Sequence, residues 1–186
     1  MNPRVLSCAP LLLLVGLGGA RAAPDPMTGG SGLERVEVHA AAGSVRVKLE
    51  KTQHVRLNGQ ERDAKRDGKV LVVRRALGDV ELTVPAEVAL ELHVAAGDVG
   101  VEGPVRALKV SASAGAVTLK VGLAADAAVE VAAQAGDVAV EVQGDTAFAL
   151  DARASRGAVR GEGTPGAKAK VKLRTTAGDI TVTRAP

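Results

Sequence analysis

Aromatic side chains are almost missing from this chain of 186 residues: there is one phenylalanine, Phe148, and neither tryptophan nor tyrosine. Sugars and bases are commonly gripped on aromatic faces, so recognition by stacking has nothing to work with here. Cys8 is the single cysteine. It precedes the first apolar run, whereas a lipid-anchor cysteine would follow it, and no disulfide can close within the chain. Packing alone must hold the fold. The apolar run Leu11 to Leu17 is far short of the ~20 residues that span a bilayer as a helix, and no transmembrane helix is expected in the mature chain. An excess of charge of one sign is also missing. The net charge is +3, and two of those positive charges, Arg4 and Arg21, lie in the first 22 residues. A remainder this close to neutral removes the electrostatic case for nucleic-acid binding. No nucleophile elbow, zincin motif, phosphate loop or dinucleotide fingerprint occurs. No catalytic residues, metal ligands or cofactor sites are therefore assigned.

The ends are legible. Arg4, the apolar run and Ala20-Arg21-Ala22 compose a signal peptide over residues 1–22, with cleavage expected after Ala22 and export to the periplasm, the cell surface or the medium. Residues 23–32 carry Pro24, Pro26, Gly29 and Gly30 and read as a flexible lead-in. Residues 33–186 then form one domain.

What the chain does have is a repeat. Gly43, Gly78, Gly97, Gly115, Gly136, Gly157 and Gly178 each precede one polar or small residue and then a β-branched one. After a first interval of 35 residues the spacings are 19, 18, 21, 21 and 21. A period near 20 means that one supersecondary unit is copied and stacked. Two places after the glycines stand Val45, Val80, Val99, Val117, Val138, Val159 and Ile180, and polar or small residues alternate with apolar ones from there. Seven and five places before them, Val36 and Val38, Leu90 and Leu92, or Val129 and Val131 alternate in the same way. Each unit is thus strand, glycine corner, strand, with β-branched residues suiting the pleated surface. The corner in its fullest form is Ala-Gly-Asp, where glycine takes a positive φ and aspartate bonds neighbouring amides. No window shows a helical apolar stripe. The fold expected is all-β: a single-stranded β-solenoid of about six to seven short coils, stacked so that like residues form columns.

The long first interval breaks the pattern. Residues 50–77 form an irregular basic section, read as a hairpin or odd coil over the first open edge of the stack. Arg62, Lys65, Arg66 and Lys69 within it are the candidate contact for an anionic partner such as an acidic glycan or lipid. The plainer reading is that these charges only prevent edge pairing. At the other end the strand Ile180 to Thr183 runs almost to Pro186, so the last coil is expected to present an open edge to another copy.

Other candidates are weaker. Corner aspartates Asp79, Asp98, Asp137 and Asp179 suggest a cation ladder, but Ala116 and Ala158 interrupt it. The outward row Glu91, Lys109, Glu130, Asp151, Lys172 alternates in sign except between Glu130 and Asp151. Glu91 and Glu130 are the acids a polysaccharide-cleaving β-helix would use. His39 and His93 share one register position, yet a whole unit separates them in sequence, which argues against a joint site.

The corner pattern, with Gly78-Asp79-Val80-Glu81-Leu82-Thr83-Val84-Pro85, Ala96-Gly97-Asp98-Val99 and Thr176-Ala177-Gly178-Asp179-Ile180, resembles the bacterial putative-adhesin family of exported β-solenoid domains. The likeness covers roughly Leu33 to Arg184. It implies an envelope location and binding rather than catalysis, with an envelope protein, a glycan or another copy as partner. No catalytic residue carries over. The unit Ala154 to Gly163 departs from the pattern, since Gly161 and Gly163 replace apolar residues.

Overall fold

A computed structural model describes residues 32–58 and 63–185. The expected signal segment, nearly all of the lead-in and Arg62 lie outside the described residues. The alternating segments are strands throughout, and the described residues contain no α-helix. The strands are β1 (Arg35–Ala42), β2 (Val45–Glu50), β3 (Arg56–Asn58), β4 (Ala64–Asp67), β5 (Val70–Leu77), β6 (Val80–Pro85), β7 (Ala89–Ala96), β8 (Val99–Ala114), β9 (Val117–Ala135), β10 (Val138–Gln143), β11 (Phe148–Arg156), β12 (Val159–Arg160), β13 (Ala169–Ala177) and β14 (Ile180–Ala185).

Each repeat glycine sits between two strands and makes one rung of a β-solenoid. Strands before the corner stack in parallel on one face, and strands after it stack in parallel on the other. β8 and β9 are long because each supplies the post-corner strand of one rung and the pre-corner strand of the next, with a register shift between Val105 and Ala107 where they pair. The coil is therefore two-sided. Inward residues from both faces meet in one continuous core, and Val36, Leu92, Val117, Leu119, Val131 and Ile180 are all fully buried. Burying many such Val and Leu side chains, at ~25 cal/mol per Å² of apolar surface, is the chief driving force available to a chain with no disulfide.

The columns are those expected. Val80, Val45, Val99, Val117, Val138, Ile180 and Val159 lie over one another in register. Their order is the surprise. In space the corners run Gly78, Gly43, Gly97, Gly115, Gly136, Gly178, Gly157. The first two units of the sequence are exchanged, and so are the last two. The chain begins in the second rung and finishes in the sixth.

The exchange corrects the reading of the C-terminus. β14 is not an edge: it lies between β10 and β12, and the terminal rung is the irregular unit of β11 and β12. That order makes physical sense. Although Phe148 and Leu150 fill two inward places of the Gly157 unit, it carries only Ala152, Ala154 and Gly161 where the Gly178 unit carries Leu173, Thr175 and Val182, all buried. At the opposite end only part of residues 50–77 is irregular: Val70–Leu77 is the regular pre-corner strand of the Gly78 rung, and the strands before it lie over the edge. β4 pairs antiparallel with β5 and β3 pairs antiparallel with β6, closing the stack over the Gly78 rung. Arg75 occupies an inward register place in that rung, and only an end position lets it reach Asp63 at 3.8 Å and the Leu77 carbonyl at 3.2 Å.

Candidate binding surface

The corners form one exposed edge of the solenoid. Here the aspartates act differently from the sequence reading, because each bonds an amide of the adjacent rung rather than of its own turn. The Ser44 N–H donates to Asp79 Oδ1 at 2.9 Å, the Ala116 N–H to Asp98 Oδ1 at 2.9 Å, the Asp179 N–H to Asp137 Oδ1 at 2.8 Å and the Ala158 N–H to Asp179 Oδ1 at 2.8 Å. Ser44, Ala116 and Ala158, which lack a carboxylate, are thus the receivers of one. The four side chains clamp rungs together, a role that leaves Oδ1 occupied by the protein itself.

On the pre-corner face the outward row six places before the glycines runs Val72, Glu37, Glu91, Lys109, Glu130, Lys172, Asp151. The exchange of rungs places Lys172 between Glu130 and Asp151, so the like-charged neighbours expected from sequence order do not meet. Lys109 Nζ donates to Glu91 Oε1 at 2.8 Å, and Lys172 Nζ lies 3.1 Å from Glu130 Oε1. The hydrogen bond from Lys109, outweighing the opposing effect of burial, holds the Glu91 carboxyl below the ordinary carboxylate range, and the same bond raises Lys109. Glu91 therefore stays ionised at neutral pH, the wrong state for a general acid. The sign of the linkage follows: Glu91 contributes stability above the ordinary carboxylate pKa and loses it as pH falls through its lowered value. Glu91 and Glu130 are kept apart by the Lys109 rung and pair with lysines rather than with each other.

The next row, four places before the glycines, contains the largest departure from the sequence reading. His39 and His93 are neighbours, because the Gly43 rung lies directly against the Gly97 rung. Their rings stack with centroids 4.9 Å apart and 11° between planes. The intervening unit in the sequence, that of Gly78, has moved outside the pair. The shared register position was the available signal, and sequence order hid it.

The candidate anion contact is spread out. Lys65 and Arg66 are exposed and adjacent in β4, so their side chains leave opposite faces of the strand. Arg66 Nε donates to the Gly68 carbonyl at 3.0 Å, and Lys69 pairs with Glu34. On the post-corner face, Gly100 has no side chain and opens a concavity of about 800 Å³ whose rim mixes Arg46, Lys48, Arg56 and Lys120 with Glu81 and Glu102. Among the described residues no group of three or more His, Cys, Asp or Glu is placed to hold a metal ion, and no helix is long and apolar enough to cross a membrane.

A two-sided parallel solenoid with charged outward columns defines a repeat scaffold of the β-solenoid class. The family comparison agrees. Residues 27–183 match the Toastrack DUF4097 model, and the chain belongs to that family. A search of the curated proteins finds no match. Among solved structures, the crystal structure of a putative cell adhesion protein from Clostridium sporogenes ATCC 15579, at 1.95 Å resolution, is similar over 83% of this chain and 94% of that one, with a TM-score of 0.55 and 12% identity. At that identity the likeness is one of fold.

Proposed function

We propose that this protein is exported, is cleaved after Ala22, and serves without catalysis in the bacterial envelope or at the cell surface as an adhesin-like binding scaffold. One observation carries the reading: the exposed surface is built of regular columns repeated across the described rungs, and the acids singled out as candidates, Glu91, Glu130 and the corner aspartates, are tied to neighbouring cations or backbone amides instead of being poised for proton transfer. Repeat scaffolds use such extended faces to hold extended partners. The adhesion-related neighbour supports a binding role in the same direction.

Cell fractionation and mass determination of the isolated protein test this. A mature chain beginning at Ala23, recovered from the envelope or medium and retained by envelope material, is the expected outcome. An uncleaved cytosolic protein would remove the export half. Polysaccharide turnover that disappears in Glu91→Gln or Glu130→Gln would remove the noncatalytic half.

A further inference from the structure

One groove on the pre-corner face differs in composition from the rest of the surface. It is an open concavity of about 620 Å³ lined by alanines and Val94 and, on its polar side, by Arg74, Arg75, His39, His93, Ser111 and Ser113; no carboxylate lines it. Arg74, His39, His93 and Ser111 share one register position in four consecutive rungs. At ~4.8 Å per rung they make a line ~14 Å long, parallel to the solenoid axis. Arg74 is exposed and makes no ion pair among the described residues, while its neighbour Arg75 is held by Asp63 at 3.8 Å.

The charges around the imidazoles are partitioned. On the far flank Glu91 Oε1 lies 3.2 Å from His93 Nε2 and Glu37 Oε2 lies 3.9 Å from His39 Nε2. These carboxylates are already countered: Arg35 Nη1 is 3.6 Å from Glu37 and 3.9 Å from Glu91, and Lys109 is 2.8 Å from Glu91. The His93 contact assigns the ring hydrogen to Nε2, and Nδ1 has no hydrogen-bond partner among the described residues. In a neutral ring Nδ1 is an acceptor; a second proton makes it a donor. Counting Arg35, Arg74, Arg75 and Lys109 against Glu37, Glu91 and Asp63, the surroundings are cationic even before the imidazoles gain protons. A divalent metal would meet Arg74 beside His39 and no carboxylate in the groove.

We propose that this groove binds a polyanion, a chain bearing carboxylate or phosphate groups laid along the solenoid axis so that successive charges meet Arg74, His39 and His93, and that binding strengthens on acidification. It rests on the binding-scaffold reading and names the ligand chemistry for it. The row reads as a strip of donors, one per rung, and imidazole is the side chain that changes charge between pH ~5 and ~8.

The test uses the full chain and two probes, polygalacturonate for carboxylate and poly(glycerol phosphate) for phosphate, at pH 7.5 and 5.5 and fixed ionic strength. Affinity for at least one probe is expected to rise severalfold at the lower pH, where imidazole as a side-chain class gains donor character toward an anion; the probe preferred identifies the source of the anion. Arg74→Gln should weaken binding at both pH values. His39→Gln with His93→Gln should remove the pH dependence and leave the residual Arg74 contact. These positions are outward and half-exposed, and an unchanged melting curve checks that each variant is folded. The proposal fails if neither probe binds, if the double variant keeps the pH dependence, or if zinc alone saturates the histidines and neither probe displaces it. Envelope retention that is unaffected by all three substitutions would sink this groove and leave the scaffold reading standing; loss of all envelope retention in the parent protein would sink the scaffold reading itself.

Discussion

A missing methyl group at each corner sets how closely the rungs approach. Gly115 has φ 127°, and a Cβ placed there would press into the carbonyl oxygen of Gly97. The same collision recurs from Gly43 through Gly157, each glycine lying against the carbonyl of the rung before it. Gly78 is the exception, because its rung begins the stack: a Cβ there would meet only the Arg75 guanidinium, no nearer than 3.4 Å. Two costs can thus be separated in one protein. Gly78→Ala carries only the backbone strain of positive φ, ~1–3 kcal/mol. Gly115→Ala carries that strain plus a backbone collision that no side-chain motion relieves, and is expected to cost more than ~4 kcal/mol, in the range where single substitutions are exceptional. Urea denaturation of the two variants measures the difference. Equal shifts of the midpoint would mean that φ alone, and not the spacing of rungs, selects glycine at the corners.

At the scale of strands, the sequence carries the rung and conceals its neighbour. The alternation around each glycine defines which side chains point inward, and every column read from it is present, down to Ile180 over Val138. The order of rungs was not legible by period alone, since a 21-residue unit can dock beside its predecessor or skip one place. Two local signals do point to it. Arg75 stands at an inward place that only an end rung can tolerate, and Ala152, Ala154 and Gly161 leave a unit too thin for the interior. The same exchange explains why the histidine pair was misjudged, since adjacency was inferred from chain order. The proposed groove could not be found from spacing, because it needs four units side by side, the first two of them in exchanged order. Cysteine pairs test the order directly. Ala139 and Thr181 are register partners on β10 and β14, and neighbouring strands bring Cα atoms within the ~4.4–6.8 Å that a disulfide needs. Ala139→Cys with Thr181→Cys should oxidise readily and run faster on a non-reducing gel. Ala139→Cys with Arg160→Cys, partners only if rungs followed the sequence, lies two rungs apart at ~10 Å and should not. The opposite result would restore sequential stacking.

Across the whole molecule the two ends of the stack are unlike. One end is closed by the antiparallel strands β3 and β4, whose exposed Lys65, Arg66 and Asp67 discourage further pairing. The other ends in β11 and β12, where Val159 is 43% exposed although it belongs to the same column as Val138, which is 1% exposed. Solenoid stability is close to a sum of nearest-neighbour terms, so a rung with one neighbour contributes about half of what an interior rung does. A charge placed in the column should therefore be judged by rung and not by residue type or sequence position. Val159→Lys reaches solvent from the end of the stack and is expected to cost no more than ~0.5 kcal/mol, as for a surface change. Val138→Lys buries an unpaired ammonium between two rungs, and should unfold the domain or cost more than ~4 kcal/mol. Hydrogen exchange supplies the matching gradient. Amides of β13 and β14 should be protected well beyond those of β11 and β12, although the latter precede them in the chain, because the former have a rung on each side. Protection that declines steadily toward residue 185 would instead place the C-terminal strand at the edge and refute the exchanged order.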